Sequence, residues 1–363
     1  MNENLFCRAR LEVDREAIKS NVRALQGMSQ NCDVLGVVKA NAYGVGTDIV
    51  VPALLEAGVK VLGIATLSEA AELLKYGVEL RMLSGVMPEE IAPAIEMGVT
   101  LPVIDFETAL AIDAEAARQK RKATVQLAID SGMGRVGIRL AEAEETAKKI
   151  IALENLNVTG CYSHFPKAEP GDAGSLEQIS GMTRLAHVLR LPQNHLAASE
   201  GTLFMPGASR PPFNLIRLGI AMYGVLPDCG MKGAVKFKSR LAAVRRCPAG
   251  GTVSYGRLHK LSSETLVGTV AAGYADGVPL KLTNKGFFRV NGKLCPILGR
   301  VTMDYTMIDL SAVPGAKVGD KVELFTSMQG DSIDIANWSN YKGTHAWDIL
   351  CSISPRVERR AVN

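Results

Sequence analysis

One alternation, repeated through the first two thirds of the chain, constrains its fold more than any other feature. Short apolar runs rich in Val, Ile and Leu recur eight times: "DVLGVVKA", "KVLGIAT", "LRMLSGV", "VTLPVID", "TVQLAID", "NVTGCYSH", "HLAAS" and "FNLIRLGIAMYG". Most are followed by a segment such as "LSEAAELLKYG", "DFETALAIDAEAARQK" or "AEAEETAKKIIALE", whose apolar residues fall three and four apart, the spacing of an amphipathic helix. A strand that is apolar throughout must be covered on both faces, so the pattern implies a parallel sheet sheathed by helices. Eight such units in about 220 residues point to a closed (β/α)8 TIM-type barrel, with an open doubly wound sheet as the alternative.

After about residue 236 the pattern changes to short strand-like runs with turn signals between them: "SRLAAVRR", "CPAGGTVSYG", "ETLVGTVAAGY", "NKGFFRVNGKLCPI", "MDYTMIDL" and "DKVELF". No long helix is expected before "IDIANWSN" and "THAWDILCS". The expected organisation is a barrel over residues 1–235 and a mainly β domain over residues 236–363.

Composition narrows the function classes. The 363 residues carry 41 basic and 37 acidic side chains, a balance that does not suggest nucleic acid as the main partner. The seven cysteines (Cys7, Cys32, Cys161, Cys229, Cys247, Cys295 and Cys351) are odd in number, scattered and without a CxxC pair. They read as reduced thiols of a cytoplasmic protein, with neither a disulfide frame nor a metal site. The N-terminus is charged throughout, and the most apolar stretch is broken by Glu56 and Lys60, so neither a signal peptide nor a membrane span is expected.

In a barrel the functional side chains lie at the carboxyl ends of the strands. That rule selects Lys39 after the first run, Asp130 before "SGMGRVG", His164 after the sixth, Ser199 after the seventh, and Arg217 before "LGI" in the eighth. Desolvation at a strand end lowers a lysine from its usual value of about 10.4 and frees a nucleophilic amine suited to a Schiff base with a carbonyl cofactor or substrate. The same lysine could equally snorkel to the barrel rim, and position alone does not separate the two. Arg135 in the glycine-rich loop could meet an anion or solvent. His164 and Arg217, taken singly, read as a packing histidine and a structural ion-pair partner. Tyr255 in "TVSYGR", on local evidence, reads as a sheet tyrosine.

Together the motifs resemble the bacterial family of pyridoxal-phosphate-dependent alanine racemases. "VVKANAYGVG", "AIDSGMGRVG", "YSHF", "IRLGIAMYG", "VSYGR", "GYADG" and "GRVTMDYTMIDL" occur in the family's order across essentially the whole chain. The resemblance implies that Lys39 holds pyridoxal 5'-phosphate through its amine, and that Tyr43, Ser199 and the backbone of Gly219 and Ile220 hold the phosphate. It further implies that Arg217 faces the pyridine nitrogen and that Arg135 contacts the cofactor's phenolic oxygen. Lys39 would serve the D-alanine face of the substrate and Tyr255 of a second subunit the L-alanine face, with His164 between Tyr255 and Arg217. The backbone at Met303, also from the second subunit, would help Arg135 hold the substrate carboxylate. A homodimer with shared sites is therefore expected, as is a role in supplying D-alanine for peptidoglycan.

The sequence departs from the family at several points. Ala128 stands where many members have a carbamylated lysine bracing the arginine, so Arg135 needs another brace. Pro355 in "ISPRV" replaces a tyrosine near the phosphate and the substrate methyl, and Val45 in "NAYGVG" replaces a histidine. The gate residues Tyr274 and Arg300 match. Pro355 leaves open a preference for serine or another small amino acid. A non-catalytic pyridoxal-phosphate carrier would lack the β domain and its tyrosine, and a related decarboxylase would place a cysteine motif there.

Overall fold

A computed structural model of the chain describes residues 8–30 and 32–363; Cys7 lies outside the described residues. The chain divides into two compact units, neither continuous in sequence. One collects residues 22–42 and 54–219, the other the N-terminal segment to Asn21, residues 43–53 and residues 220–363.

The first unit holds eight parallel strands: β1 (Asp33–Val37), β2 (Val61–Ile64), β3 (Glu79–Met82), β4 (Leu101–Val103), β5 (Ala123–Asp130), β6 (Leu156–Tyr162), β7 (Gln193–His195) and β8 (Leu215–Leu218). Seven of them coincide with apolar runs of the sequence to within a residue, whereas β7 precedes its run and shares only His195 with it. Strand β8 pairs with β1, Leu215 opposite Asp33 through Leu218 opposite Gly36. The order β8-β1-β2-β3 continues through a bridge between Arg81 and Thr100 into β4-β5-β6-β7. The ring closes where Asn214 N donates to Asn194 O at 3.1 Å and Arg217 N to Ala197 O at 3.0 Å. The (β/α)8 barrel is thus the form taken, not the open sheet.

The amphipathic segments form the intervening helices, among them Leu67–Leu73, Phe106–Arg118, Ala143–Ile151 and Ala173–Leu189. Their starts are written in the sequence. Asp105 accepts from Thr108 N and Asp172 from Ser175 N, and Thr66 with Glu69 forms a capping box. The faces turned to the strands bury Ala109, Ile112 and Ala116, and Ala143, Ala147 and Ile150.

The second unit is mainly β. Strands β9 (Val235–Cys247), β10 (Thr265–Val270), β11 (Phe287–Val290), β12 (Lys293–Leu298), β13 (Thr306–Asp309) and β14 (Lys321–Thr326) are antiparallel. The long β9 pairs with β14 over its first half and, past a bulge between Leu241 and Ala243, with β10 over its second, which closes the ring β9-β10-β13-β12-β11-β14. Trp338, from the helix Ile335–Lys342, packs on Phe237, Phe288 and Phe325 in the core. Two strands at opposite ends of the chain also join this sheet: Arg10–Asp14 runs antiparallel to β9 and parallel to Glu358–Val362.

No helix among the described residues is long and apolar enough to cross a membrane.

Candidate active site

The carboxyl ends of the barrel strands carry a cluster of donors. Lys39 is half-buried just beyond β1, and the chain after it winds left-handed: Ala40, Asn41 and Ala42 hold φ of 52°, 53° and 53°. Left-handed turns cost L-residues about 1–2 kcal/mol each, so something must hold this one. Ala42 N donates to Val38 O at 2.8 Å. The Glu69 carboxylate accepts Ala40 N at 2.6 Å and Ala65 N at 2.7 Å, strapping the turn to the end of β2. Glu69 was not singled out from the sequence, although the T-x-x-E spacing of "TLSE" marked it as a capping residue.

Arg217 is 4% exposed on β8. Its Nη2 donates to Ser163 O at 2.7 Å, Leu196 O at 3.0 Å and His164 Nδ1 at 3.2 Å, and its Nη1 to His195 O at 3.2 Å and His195 Nδ1 at 2.8 Å. Guanidinium has donors only, so both imidazoles must accept at Nδ1. When neutral, each then carries its proton on Nε2. Burial, with the positive charges of Arg217, Arg135 and Lys39 alongside, pushes His164 down to about 3. It is neutral at pH 7, and among the described residues its Nε2 has no hydrogen-bond partner. His195, fully buried and stacked on Tyr162 with ring centroids 5.0 Å apart, is driven well below the ordinary histidine range by burial and by Arg217 and Arg81. His195 was noted from the sequence only as a strand residue.

The loop bearing Arg135 is braced at its base. Asp130 Oδ1 accepts Gly132 N and Gly134 N, both at 3.0 Å, and these bonds, Gly134's first, hold its carboxyl below the usual range. Ser131 Oγ meets Ser163 Oγ at 2.6 Å and accepts from Gln178. The Arg135 guanidinium itself is exposed and makes no hydrogen bond or ion pair with a described residue. Ala128 is buried and offers only a methyl group, so the loop, not the guanidinium, is what the structure fastens. Ser199 is buried, and its Oγ accepts Gly219 N at 3.2 Å.

This set, a lysine, two arginines, a hydroxyl and a neutral imidazole, is rich in donors, and the nearby carboxylates of Glu69 and Asp130 are taken up by backbone N–H groups. It fits an anion whose ring nitrogen presents a lone pair and whose carbonyl meets an amine, which is the chemistry of pyridoxal 5'-phosphate.

In the β unit, Tyr43 packs edge-on to the buried Tyr223, ring centroids 6.5 Å apart. Gly44, next in the chain, has φ 79° and lies so close to the Leu350 carbonyl that a Cβ would come within 2.3 Å of its oxygen. Arg359 ties that loop to the segment around Pro355: its Nε donates to Gly44 O at 3.0 Å, its Nη1 to Ser354 O and Val357 O, and its Nη2 to Ile353 O. Ile220 opens a short 3-10 turn through Tyr223.

Tyr255 and Met303 stand out from this unit, 69% and 52% exposed. Tyr255 sits in a turn with Ser254, Gly256 and Arg257 at φ 67°, 74° and 50°. The Met303 loop is bolted to the Tyr274 turn: Tyr274 N donates to Thr302 O at 2.9 Å and Ala275 N to Met303 O at 3.0 Å. A Cβ on Gly273 would reach Thr302 O at 2.2 Å, so only glycine allows this approach. Arg356 clasps Asp276 at 2.7 and 2.8 Å and Asp304 at 2.9 Å, tying the two turns together from the segment that carries Pro355.

Comparison with known proteins agrees with this chemistry. The models for "Alanine racemase, N-terminal domain" and "Alanine racemase, C-terminal domain" match residues 13–227 and 234–361. The alanine racemase of Symbiobacterium thermophilum is 32% identical over 96% of this chain and 95% of its own length. The crystal structure of alanine racemase from Streptomyces lavendulae superposes with a TM-score of 0.89 at 33% identity, covering 98% of this chain and 97% of that one. That of the Bartonella henselae alanine racemase, described with covalently bound pyridoxal phosphate, gives a TM-score of 0.88 at 26% identity over 98% of this chain and 99% of that one. With both domains matched and the barrel and β folds in place, the chain belongs to the family of pyridoxal-phosphate-dependent alanine racemases.

Proposed function

We propose that the protein interconverts L-alanine and D-alanine in the cytoplasm with two bases on opposite faces of the substrate, Lys39 on one and Tyr255 of a partner subunit on the other. The observation that carries this reading is the neutral His164, held at Nδ1 by Arg217 and acted on by the charge of Lys39. Bound pyridoxal 5'-phosphate supplies an electron sink that makes the substrate α-proton acidic. Lys39 would anchor it and exchange the proton on the D-alanine face. Tyrosine is a poor base unless its phenolate is stabilised, and a neutral imidazole with its proton on Nε2 can donate to that oxygen.

Arg217, which cannot give up a proton, would hold the ring nitrogen without protonating it, which would limit side reactions. Tyr43, Ser199, Gly219 and Ile220 would hold the phosphate, while Arg135 would hold the cofactor and, with the partner's Met303 backbone, the substrate carboxylate. The exposure of Tyr255 and Met303 supports a homodimer with shared sites. The product suits supply of D-alanine for peptidoglycan.

Solvent deuterium incorporation into a panel of L-amino acids, followed by mass, tests cofactor, reaction and substrate together. Rapid exchange at the α-carbon of alanine is expected, and its absence with every amino acid overturns the reading. A second reading, racemisation of serine or a range of small amino acids, is favoured by the exposed Pro355 where many members carry a tyrosine. Matched rates for L-alanine and L-serine decide between them.

A further inference from the structure

The barrel interior holds a polar column whose inner part, Gln193, Gln126 and His195, the chemistry above does not use. From the amino end of β7, Gln193 Oε1 accepts Gln126 Nε2 at 3.2 Å, and Gln126 Oε1 meets His195 Nε2 at 2.8 Å. His195 then leads to Arg217 and Arg217 to His164. Gln126 lies on β5 and His195 on β7, with β6 between them, so their bond runs through the inside of the barrel. Gln126, His195 and Arg217 are 3%, 0% and 4% exposed.

The direction of every bond in this column follows from one residue. Arg217 has no acceptor, so His195 Nδ1 must accept. His195 Nε2 therefore carries the proton, and position 126 must present an oxygen to it. Gln126 does so, and its amide nitrogen is left to face the oxygen of Gln193. Were position 126 apolar, the buried Nε2–H would lose its acceptor, and the ring could recover one only by turning away from Arg217.

We propose that Gln126 is a positioning residue for the racemase site: by accepting the Nε2 proton of His195 it holds that ring with Nδ1 toward Arg217, and so aims the guanidinium and fixes the tautomer of His164. The kinetic part of this inference rests on the racemase reading; the tautomer part does not.

The test uses protein labelled with 15N-histidine, in the cofactor-free and the cofactor-loaded form, comparing wild type, Gln126→Leu and Gln126→Glu. The chain has five histidines, few enough to assign by single substitution. In the cofactor-free wild type, His195 and His164 should both be protonated at Nε2 alone. Gln126→Leu, close in volume but without an acceptor, should shift both signals and, in the loaded enzyme, lower kcat for alanine about 10- to 100-fold with little change in KM, the size of loss typical of removing a group that orients another. Gln126→Glu restores an oxygen facing Nε2 and should keep the wild-type tautomers and most of kcat. If Gln126 only filled space, leucine would be tolerated better than glutamate, and that order overturns the proposal. So does a wild-type His195 protonated at Nδ1, or a Gln126→Leu protein with unaltered His164 signal and kcat. Should the leucine variant not fold, loss of kcat in Gln126→Glu is the overturning result. Tautomers as stated in a protein that exchanges no amino acid would support the clamp while removing the racemase reading.

Discussion

The turn after Lys39 and the turn around Tyr255 both hold non-glycine residues at positive φ, yet they are supported in different ways. Ala40 to Ala42 are strapped from within the barrel unit by Glu69 and by Val38 O, and Lys39 is half-buried. Ser254 and Arg257 flank a tyrosine that is 69% exposed, and the turn is fastened at its base by Ser254 Oγ donating to Arg300 O at 2.6 Å. Strained backbone persists only where its surroundings over-determine it, and it gathers at sites that do work. The contrast is between a lysine that the chain holds half-buried and a tyrosine that it leaves exposed.

The largest effect that could break this comparison comes from the two proposed bases themselves. Lys39→Ala should abolish α-proton exchange and the visible absorbance of bound cofactor. Tyr255→Phe should keep the absorbance but slow removal of the α-proton from L-alanine about 100- to 10,000-fold, with a smaller loss from D-alanine. Single-turnover measurements showing equal losses in both directions would remove the two-face assignment.

Mixing the two impaired variants asks whether the exposed tyrosine works on another chain. If Lys39 and Tyr255 of different chains share a site, random pairing of Lys39→Ala and Tyr255→Phe subunits should restore about a quarter of wild-type activity. No recovery after verified subunit exchange would mean that each chain uses its own tyrosine.

Smaller, and confined to the barrel side, is a response to acid. His164 has its folded value lowered to about 3 from an ordinary 6.5, and His195 is lowered too. The unfolded chain then binds more protons below pH 6.5, so stability is full above that pH and falls as pH drops toward 3. Each histidine contributes a slope of up to about 1.4 kcal/mol per pH unit. Urea midpoints for His164→Asn between pH 6.5 and 4 should fall less steeply than those of wild type.

The smallest effect compares the turns directly. Ala40→Gly removes the left-handed penalty but adds freedom to the unfolded chain, so the melting temperature should move by no more than about 2–4 °C. Ser254→Gly gives similar relief but loses the bond to Arg300 O, and should come out the less stable of the two.

Much of the barrel was legible because most strands are local apolar runs and most helices local periodicities, although the polar β7 met its run only at His195, and the strand-end rule singled out Lys39, His164, Ser199 and Arg217 without knowledge of any partner. The strands Arg10–Asp14 and Glu358–Val362 were missed. "RLEVD" does alternate, but nothing local tells a strand that its neighbours lie at the far end of the chain. Gln126 and His195 escaped for a related reason: a period of two places a side chain inside a barrel but does not say which side chain it meets across it. The brace for the Arg135 loop lay in plain view as Asp130 and Ser131, while the missing lysine at Ala128 drew attention to the guanidinium instead.

The closure of β8 on β1 also bears on how the molecule assembles. Arg217 arrives on the last strand of the barrel, so any intermediate without that strand keeps the bonds from Gln193 through Gln126 to His195 but leaves Nδ1 of His195 and of His164 without their donor. Closure must bring together Leu215 and Asp33, residues far apart in the chain, before those groups gain their partner. The Arg217 end of the polar column thus rewards only the complete ring, and partly wound barrels gain nothing from it. Such an arrangement favours slow, cooperative folding, with the eighth strand as its final commitment.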